Sequence, residues 1–293
     1  MVRFLTALIS GIDIGALDSL VALGILILYK ATGLFNFAQG AFLTLAAYFA
    51  IWSANSAHLP LAAAYLFAIV AMFGIGAVLE RVAVAPLRGK DPMMAVIATF
   101  GASYVISTAY EHWQGPHPQY LASLFKSGAH VSIGRVVIAV QQILIVAVCA
   151  VVMVVTLWVF HRTALGRQVR ALAADREVAR LYGIRVGRLS LLAWGVSAGL
   201  AGLAAVLIGP LGAVDPTIGA PIMLNAFAAA TLGGFGSIGG AILGALIIGI
   251  AQQVGGAYLL SSAYGAVWPY VIMILAVAIR PQGILARGAG ERL

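Results

Sequence analysis

Charge is scarce in this sequence: only 9% of its 293 residues are Asp, Glu, Lys or Arg, where a soluble domain carries roughly 25%. Apolar residues make up 62%. A water-soluble fold of this size would lack the polar residues to cover its surface. A soluble globule is therefore excluded, and apolar runs of about 20 residues point to a polytopic membrane protein. The period-2 alternation of barrel strands is missing, so the spans are helices, which satisfy their own backbone groups in lipid. Cysteine is nearly absent. The single Cys149, inside the apolar run Ile143–Phe160, excludes an intrachain disulfide and thiolate-metal chemistry and reads as a small packing residue. Acidic residues are few, 9 against 17 Lys and Arg, for a net charge of +8. In a membrane chain this excess orients spans rather than binding nucleic acid.

Other absences narrow the chemistry. Arg3 precedes the apolar Phe4–Ile12, but no small-x-small site follows, so no cleaved signal peptide is read. A P-loop is missing: the only Gly-Lys pair, Gly89-Lys90, is followed by Asp91 and has Val84 where the first Gly belongs. The chain does not bind ATP by that route. Either a partner hydrolyses it or transport is driven otherwise. No Ser-His-Asp or paired-carboxylate arrangement can be argued, so no catalytic residue is assigned. Glu111, His112 and His117 stand in the Gly/Pro-rich stretch EHWQGPHPQY without an i, i+4 ligand pair. They read as a solvated loop, with Trp113 and Tyr120 in an interfacial aromatic belt and no metal site.

The apolar runs give nine candidate spans: Phe4–Tyr29, Leu34–Ala54, Leu59–Glu80, Met94–Tyr110, Val136–Phe160, Leu189–Ile208, Ile222–Leu232, Ile238–Leu260 and Tyr264–Ile279. The run from Ile222 is too short for a full crossing. Basic residues orient the set. Arg162, Arg167, Arg170, Arg176, Arg180, Arg185 and Arg188 face only Asp175 and Glu177 in the loop 162–188. Arg81, Arg88 and Lys90 form a second cluster, and Arg280, Arg287 and Arg292 a third. These three regions are expected in the cytoplasm. The Ala54–Pro60 and Gly209–Pro221 connections, free of Lys and Arg, are expected outside. The N-terminus then lies outside and the C-terminus inside. The loop 112–135 falls outside despite Lys126 and Arg135.

Two spans are interrupted near their cytoplasmic heads. One interruption is Asn36-Phe-Ala-Gln-Gly40, the other Gly233-Gly-Phe-Gly-Ser-Ile-Gly-Gly240. Paired Gly-broken segments mark an internal repeat and the pathway of a transporter. Alternatively, the glycines permit close helix packing, as in the G-x-x-x-G pairs Gly195/Gly199, Gly236/Gly240 and Gly240/Gly244. Gly40, Gly233, Gly234, Gly236 and Gly240 are thus break or packing residues. Asn36 and Gln39 either satisfy the backbone groups freed by the break or line a polar path with Phe37. Thr99, Ser103, Tyr104 and Asn225 are further path candidates. Asp13 and Asp18 are acids at membrane depth, where an ionisable residue is a functional-site hypothesis. Asp18 faces the pathway, pairs with a partner subunit, or caps a broken first helix. It lies twelve residues from Lys30, about 18 Å along one helix, and so does not pair with it.

In the loop 162–188, Ala171, Ala174, Val178 and Leu181 follow a 3-4-3 spacing that predicts one face of a short amphipathic helix. Arg176 and Arg180 fall on another face. Arg180 in the last turn and Gly183 after it make a stop signal. Such a helix either docks a partner or rests on lipid headgroups.

The stretch ALAADREVARLYGIRVGRLSLLAWGVSAGLAGLAAVL resembles the cytoplasmic-loop signature of ABC-importer permeases, most closely the LivH-type permeases of branched-chain (hydrophobic) amino acid importers. Four more motifs follow the family pattern in order: NFAQG at 36–40, Glu80-Arg81 through Pro86, Thr163–Gly166 with Arg170, and TLGGFGSIGG at 231–240. The tail RPQGIL at 280–285 matches as well. Asp18 and Lys30 depart from the pattern, where the family has an aromatic and a small residue.

The resemblance implies a single transmembrane permease domain over residues 1–293. Its fold is all-α and polytopic, with eight or nine full or partial spans, broken helices, a cytoplasmic coupling loop at 162–188 and a periplasmic loop at 112–135. It implies a second, paralogous permease subunit, two ATP-binding cassette subunits that hold ATP and Mg, and a periplasmic binding protein. The bacterial inner membrane is the implied location. Arg170, Ala173, Ala174, Arg176, Arg180 and Gly183 would couple to the ATPases. Branched-chain amino acids, urea, amides and small carboxylates all fit as cargo.

Overall fold

The computed structural model describes every residue except 1, 116, 126–128, 134–135, 259–266, 280–282 and 284–293. The Arg280, Arg287 and Arg292 cluster, Lys126, Arg135 and most of the RPQGIL tail lie outside the described residues. Helices dominate: α1 (Val2–Thr32), α2 (Gln39–Asn55), α3 (Leu61–Leu79), α4 (Pro92–Gln114), α5 (Val140–Arg162), α6 (Ala164–Ala174), α7 (Arg176–Leu181), α8 (Val186–Ile208), α9 (Gly219–Gly233), α10 (Ile238–Tyr258) and α11 (Trp268–Ile279). Among the described residues six are long and apolar enough to cross a membrane, α3 counting through a π turn and a 3-10 turn to Leu87. The protein is an all-α polytopic membrane protein.

Each span expected from the sequence has its helix, and two of them, α2 and α5, start later than expected. The span expected from Leu34 starts as a helix only at Gln39. The one expected from Val136 starts at Val140, because Val136–Ala139 is a strand (β3) paired antiparallel with His130–Ile133 (β2). A second ribbon pairs Gln119–Tyr120 (β1) with Ala213–Val214 (β4). Helix α1 runs unbroken for 31 residues, so Asp18 does not cap a broken first helix.

The chain divides into two compact units. The first comprises residues 1–26, 130–157 and 224–293. Within it α1 and α10 touch backbone to backbone. A Cβ on Gly15 would sit 2.8 Å from the Ala245 carbonyl oxygen, and one on Gly11 2.6 Å from the Ile250 Cα. Gly249 meets Gly11 and Gly15 from the other side. Small residues allow this approach, and van der Waals packing holds helices together where lipid removes the hydrophobic drive. Gly233 and Gly240 pack on one another, and Gly244 packs on Ala229. Gly234 takes φ +85° in the turn between α9 and α10, a conformation that favours glycine. Gly236 stands in the same turn, and a Cβ added to it would meet nothing within 4 Å. It belongs to the break and not to the packing pair that its spacing suggests.

The second unit comprises residues 27–129 and 158–223. Here α2 packs on α3, α4 and α8, and α3 lies closest to α8. The buried side chains of Phe42, Leu43, Tyr48, Met72 and Trp194 fill its core. Gly195 receives the Phe73 ring, and Gly40 meets Gly219. Trp113 packs on Phe49 and Trp52 with centroids 5.7 and 5.8 Å away. These rings cluster at one end of α2 and α4, as an interfacial belt requires.

Candidate functional site

The break before α2 is built from side-chain amides. Residues 34–38 are not helical, so their N–H groups need other acceptors. Asn36 Oδ1 accepts from the Ala38 N–H at 2.9 Å. Thr99 Oγ1, on α4, accepts from the Phe37 N–H at 3.3 Å. Asn36 Nδ2 donates to Gln39 Oε1 at 3.2 Å. Gln39 then reaches α8: its Nε2 donates to the Ser197 carbonyl at 3.0 Å, and the Ser197 hydroxyl donates back to Oε1 at 3.0 Å. Asn36 and Gln39 are 4% and 0% exposed. Among the described residues no buried side-chain nitrogen or oxygen of Asn36, Gln39, Thr99 or Ser197 is left without a partner, as hydrocarbon depth demands. The Phe37 ring stacks on Phe100 at 4.3 Å and 14°. Ser103 lies half-buried one turn beyond Thr99 on α4.

Asp18 and Asn225 come together in the first unit. The Asn225 side chain bonds the Asp18 carboxyl and donates to Gln252 Oε1 at 3.3 Å. Asp18 is 2% exposed and its Oδ2 has no partner among the described residues. Asp13 is equally buried and bonded by Gln142. Gln252 and Gln142 escaped the sequence reading. The signal was present, since each sits in a Gln-Gln pair inside an otherwise apolar helix. Ser197 could not have been found, because nothing in its own neighbourhood marks it.

The loop 162–188 differs from its expected form. It holds two helices, α6 and α7, and their break is at Asp175. That residue is extended (φ −156°, ψ 119°), and its Oδ1 accepts from the N–H groups of Glu177 and Val178 at 2.8 and 3.0 Å. A carboxylate that can satisfy two free helical N–H groups starts a new helix rather than extending the old one. The single expected helix is therefore two: Ala171 and Ala174 lie on α6, Val178 and Leu181 on α7, and all four are exposed. Leu172 and Ala179 are the buried residues, clustered with Leu189 and flanked by Val169, Ile184 and Val186. Arg170, Ala173, Arg176 and Arg180 remain on the solvent side. The stop at Gly183 holds, with φ +78°.

Glu80 is 1% exposed, and its Oε1 accepts from both Arg88 and the Ser190 hydroxyl. Ser190 donates at 2.8 Å. Arg88→Ala is expected to leave this carboxylate buried with one neutral partner and to destabilise the folded chain by about 3 kcal/mol. Thermal melting in detergent checks it, and the double variant Arg88→Ala/Glu80→Gln should recover most of the loss.

Comparison with known proteins adds the following. Residues 8–277 match the family profile described as "Branched-chain amino acid transport system / permease component". The high-affinity branched-chain amino acid transport system permease protein BraD of Pseudomonas aeruginosa is 33% identical, over 99% of this chain and 98% of its own. The corresponding LivH protein of Escherichia coli is 32% identical over the same shares. A probable LivH of Methanocaldococcus jannaschii is 27% identical over 90% of this chain and 87% of its own. Among solved structures, PsaBC from Streptococcus pneumoniae in complex with Fab superposes with a TM-score of 0.50 at 12% identity, covering 96% of this chain and 93% of that one. At that identity the likeness concerns the fold.

Proposed function

This chain belongs to the family of permease components of branched-chain amino acid transport systems, and from that premise we propose how it carries its cargo. The chain is a translocation subunit of an importer, a transport component and not an enzyme. It works with a second, paralogous permease, two ATPases that bind ATP and Mg, and a periplasmic binding protein, in the bacterial inner membrane with the N-terminus outside. The cargo is a branched-chain amino acid or a related small carboxylate or amide.

The observation that carries this reading is α7. Its buried Ala179 packs in one cluster with Leu172 of α6 and Leu189 of α8, while Leu181 and Tyr182 stand 86% and 84% exposed. A rigidly mounted helix with two large bare apolar side chains is a lever for a partner to grip. ATP binding at the partners moves α6 and α7, with Arg170, Ala173, Ala174, Arg176, Arg180 and Gly183 in the moving segment. Motion passes to α8, and through Ser197 and Gln39 to the break before α2. Phe37, Thr99 and Ser103, beside the amides of Asn36 and Gln39, shape one part of the path. Asp18 and Asn225 supply another.

The test is ATP-driven uptake in liposomes, with this chain co-expressed beside its genomic neighbours and given labelled amino and carboxylic acids. Leu181→Glu/Tyr182→Glu is expected to leave the chain folded and to cut ATP-dependent uptake at least tenfold. Uptake by this chain alone, driven by an ion gradient and lost in Asp18→Asn, would overturn the reading in favour of a secondary transporter.

A further inference from the structure

A cleft of about 110 Å³ opens where four helices end together. It is bounded by the last turn of α1 (Ala31, Thr32), the end of the α3 span (Val84, Leu87), the start of α4 (Pro92, Ala95) and the start of α8 (Val186, Ser190). All of these lie in the second unit. Four cations line it, Arg88, Lys90, Arg176 and Arg180, and its described lining contains no Asp or Glu. The buried Glu80 behind it neutralises one charge through Arg88, and the other three have no ion-pair partner among the described residues. Two glycines make room for the guanidinium groups. A Cβ on Gly187 would lie 3.1 Å from the Arg88 Nη1, and one on Gly33 3.0 Å from the Arg176 Nη2.

We propose that this cleft binds the phosphate of an anionic lipid headgroup. The ends of membrane spans fix its depth, and headgroup phosphates occupy that depth. Guanidinium groups offer forked donors that match phosphate oxygens, and Lys90 adds a point charge. Basic pockets between spans are the usual receivers of anionic headgroups. The volume is enough for a phosphate group. Burial, and after it the like charge of Arg180, lower Arg88 and Arg176 from the ordinary guanidinium value. A phosphate among them relieves both effects. The proposal stands apart from the ATPase reading, since it needs only the cleft and a bilayer.

The experiment is native mass spectrometry on the full chain, alone and with its co-expressed partners, extracted from membranes and titrated with phosphatidylglycerol or phosphatidylcholine. One phosphatidylglycerol per chain is expected to survive delipidation. Arg176→Gln/Arg180→Gln removes two cleft charges and leaves the Arg88–Glu80 pair intact. At about fivefold per charge, its affinity should fall roughly 25-fold. Ala95→Leu, at a residue that lines the cleft, adds volume there without changing charge and should lower occupancy as well. Arg167→Gln/Arg170→Gln, exposed on α6 outside the cleft, should keep the bound lipid. Melting curves confirm that each variant is folded. Equal loss in the α6 variant, or equal retention of phosphatidylcholine, would overturn the proposal. So would displacement by millimolar inorganic phosphate at fixed ionic strength, which would make the ligand a soluble anion. A cleft variant that keeps lipid but sheds a partner subunit would assign the cations to an acidic protein surface instead.

Discussion

Gln39→Leu is expected to destabilise the second unit by about 2–4 kcal/mol and to stop uptake. Leucine preserves most of the volume and should fit the site. It removes two acceptor interactions and one donor: Asn36 Nδ2 and the Ser197 hydroxyl lose Oε1, and the Ser197 carbonyl loses the Nε2 donor. A buried polar group left unpaired costs roughly 1–3 kcal/mol, and hydrogen bonds between membrane helices are worth about 0.6 kcal/mol on average and up to about 1.7. The helical carbonyl has other support, so the two stranded donors dominate. Asn36 is also the residue that holds the Ala38 N–H, so its loosening reaches the backbone of the break. Ser197→Ala strands less and should cost about 1 kcal/mol. Detergent melting curves and liposome uptake measure both variants. A Gln39→Leu protein that melts with the parent would show that the amides do not hold the break.

Gly76→Ala is the second large effect, expected to cost about 3 kcal/mol. The added Cβ would stand 2.5 Å from the Trp194 carbonyl oxygen and 2.6 Å from the Ala198 Cβ. Neither neighbour can swing away: one is helical backbone and the other a methyl fixed to it. Helices α3 and α8 must separate, and forcing atoms into a packed contact costs about 1–3 kcal/mol or more. The internal control is two residues away. A Cβ on Gly74 meets nothing within 4 Å, so Gly74→Ala should be neutral or gain up to about 1 kcal/mol from helix propensity. The two substitutions have the same chemistry in the same helix, and melting temperatures that moved together would refute the packing account.

The Gly76 and Gly74 pair also shows where sequence reading ends. Both are helical glycines in one apolar run, and no local rule tells the packed one from the bare one. The G-x-x-x-G spacing pointed to Gly195, which does receive Phe73, but it also pointed to Gly236, where an added Cβ would meet nothing within 4 Å. The same spacing stands at Gly11 and Gly15, and there it marks the α1–α10 contact. The break before α2 was legible, because Asn36 and Gln39 are too polar for hydrocarbon without partners. Their partner Ser197 was not, lying 158 residues away. In the loop 162–188 the apolar spacing suggested one helix where there are two, since Asp175 ends the first and starts the second.

Composition determined that this chain lies in a membrane, and the missing period-2 alternation that its spans are helices, because a bilayer leaves the backbone only helices and closed barrels in which to pair its groups. The order of polar and basic residues further determined where the helices break, and that the two basic loops share a side. Arg88 and Lys90 of one and Arg176 and Arg180 of the other do line one cleft. Only the tertiary structure decided which polar groups meet, which glycines carry contacts, and which side of α7 stays bare. Those depend on distances between segments far apart in the chain, and inside lipid they rest on shape and hydrogen-bond geometry, which hydrophobic pattern does not encode.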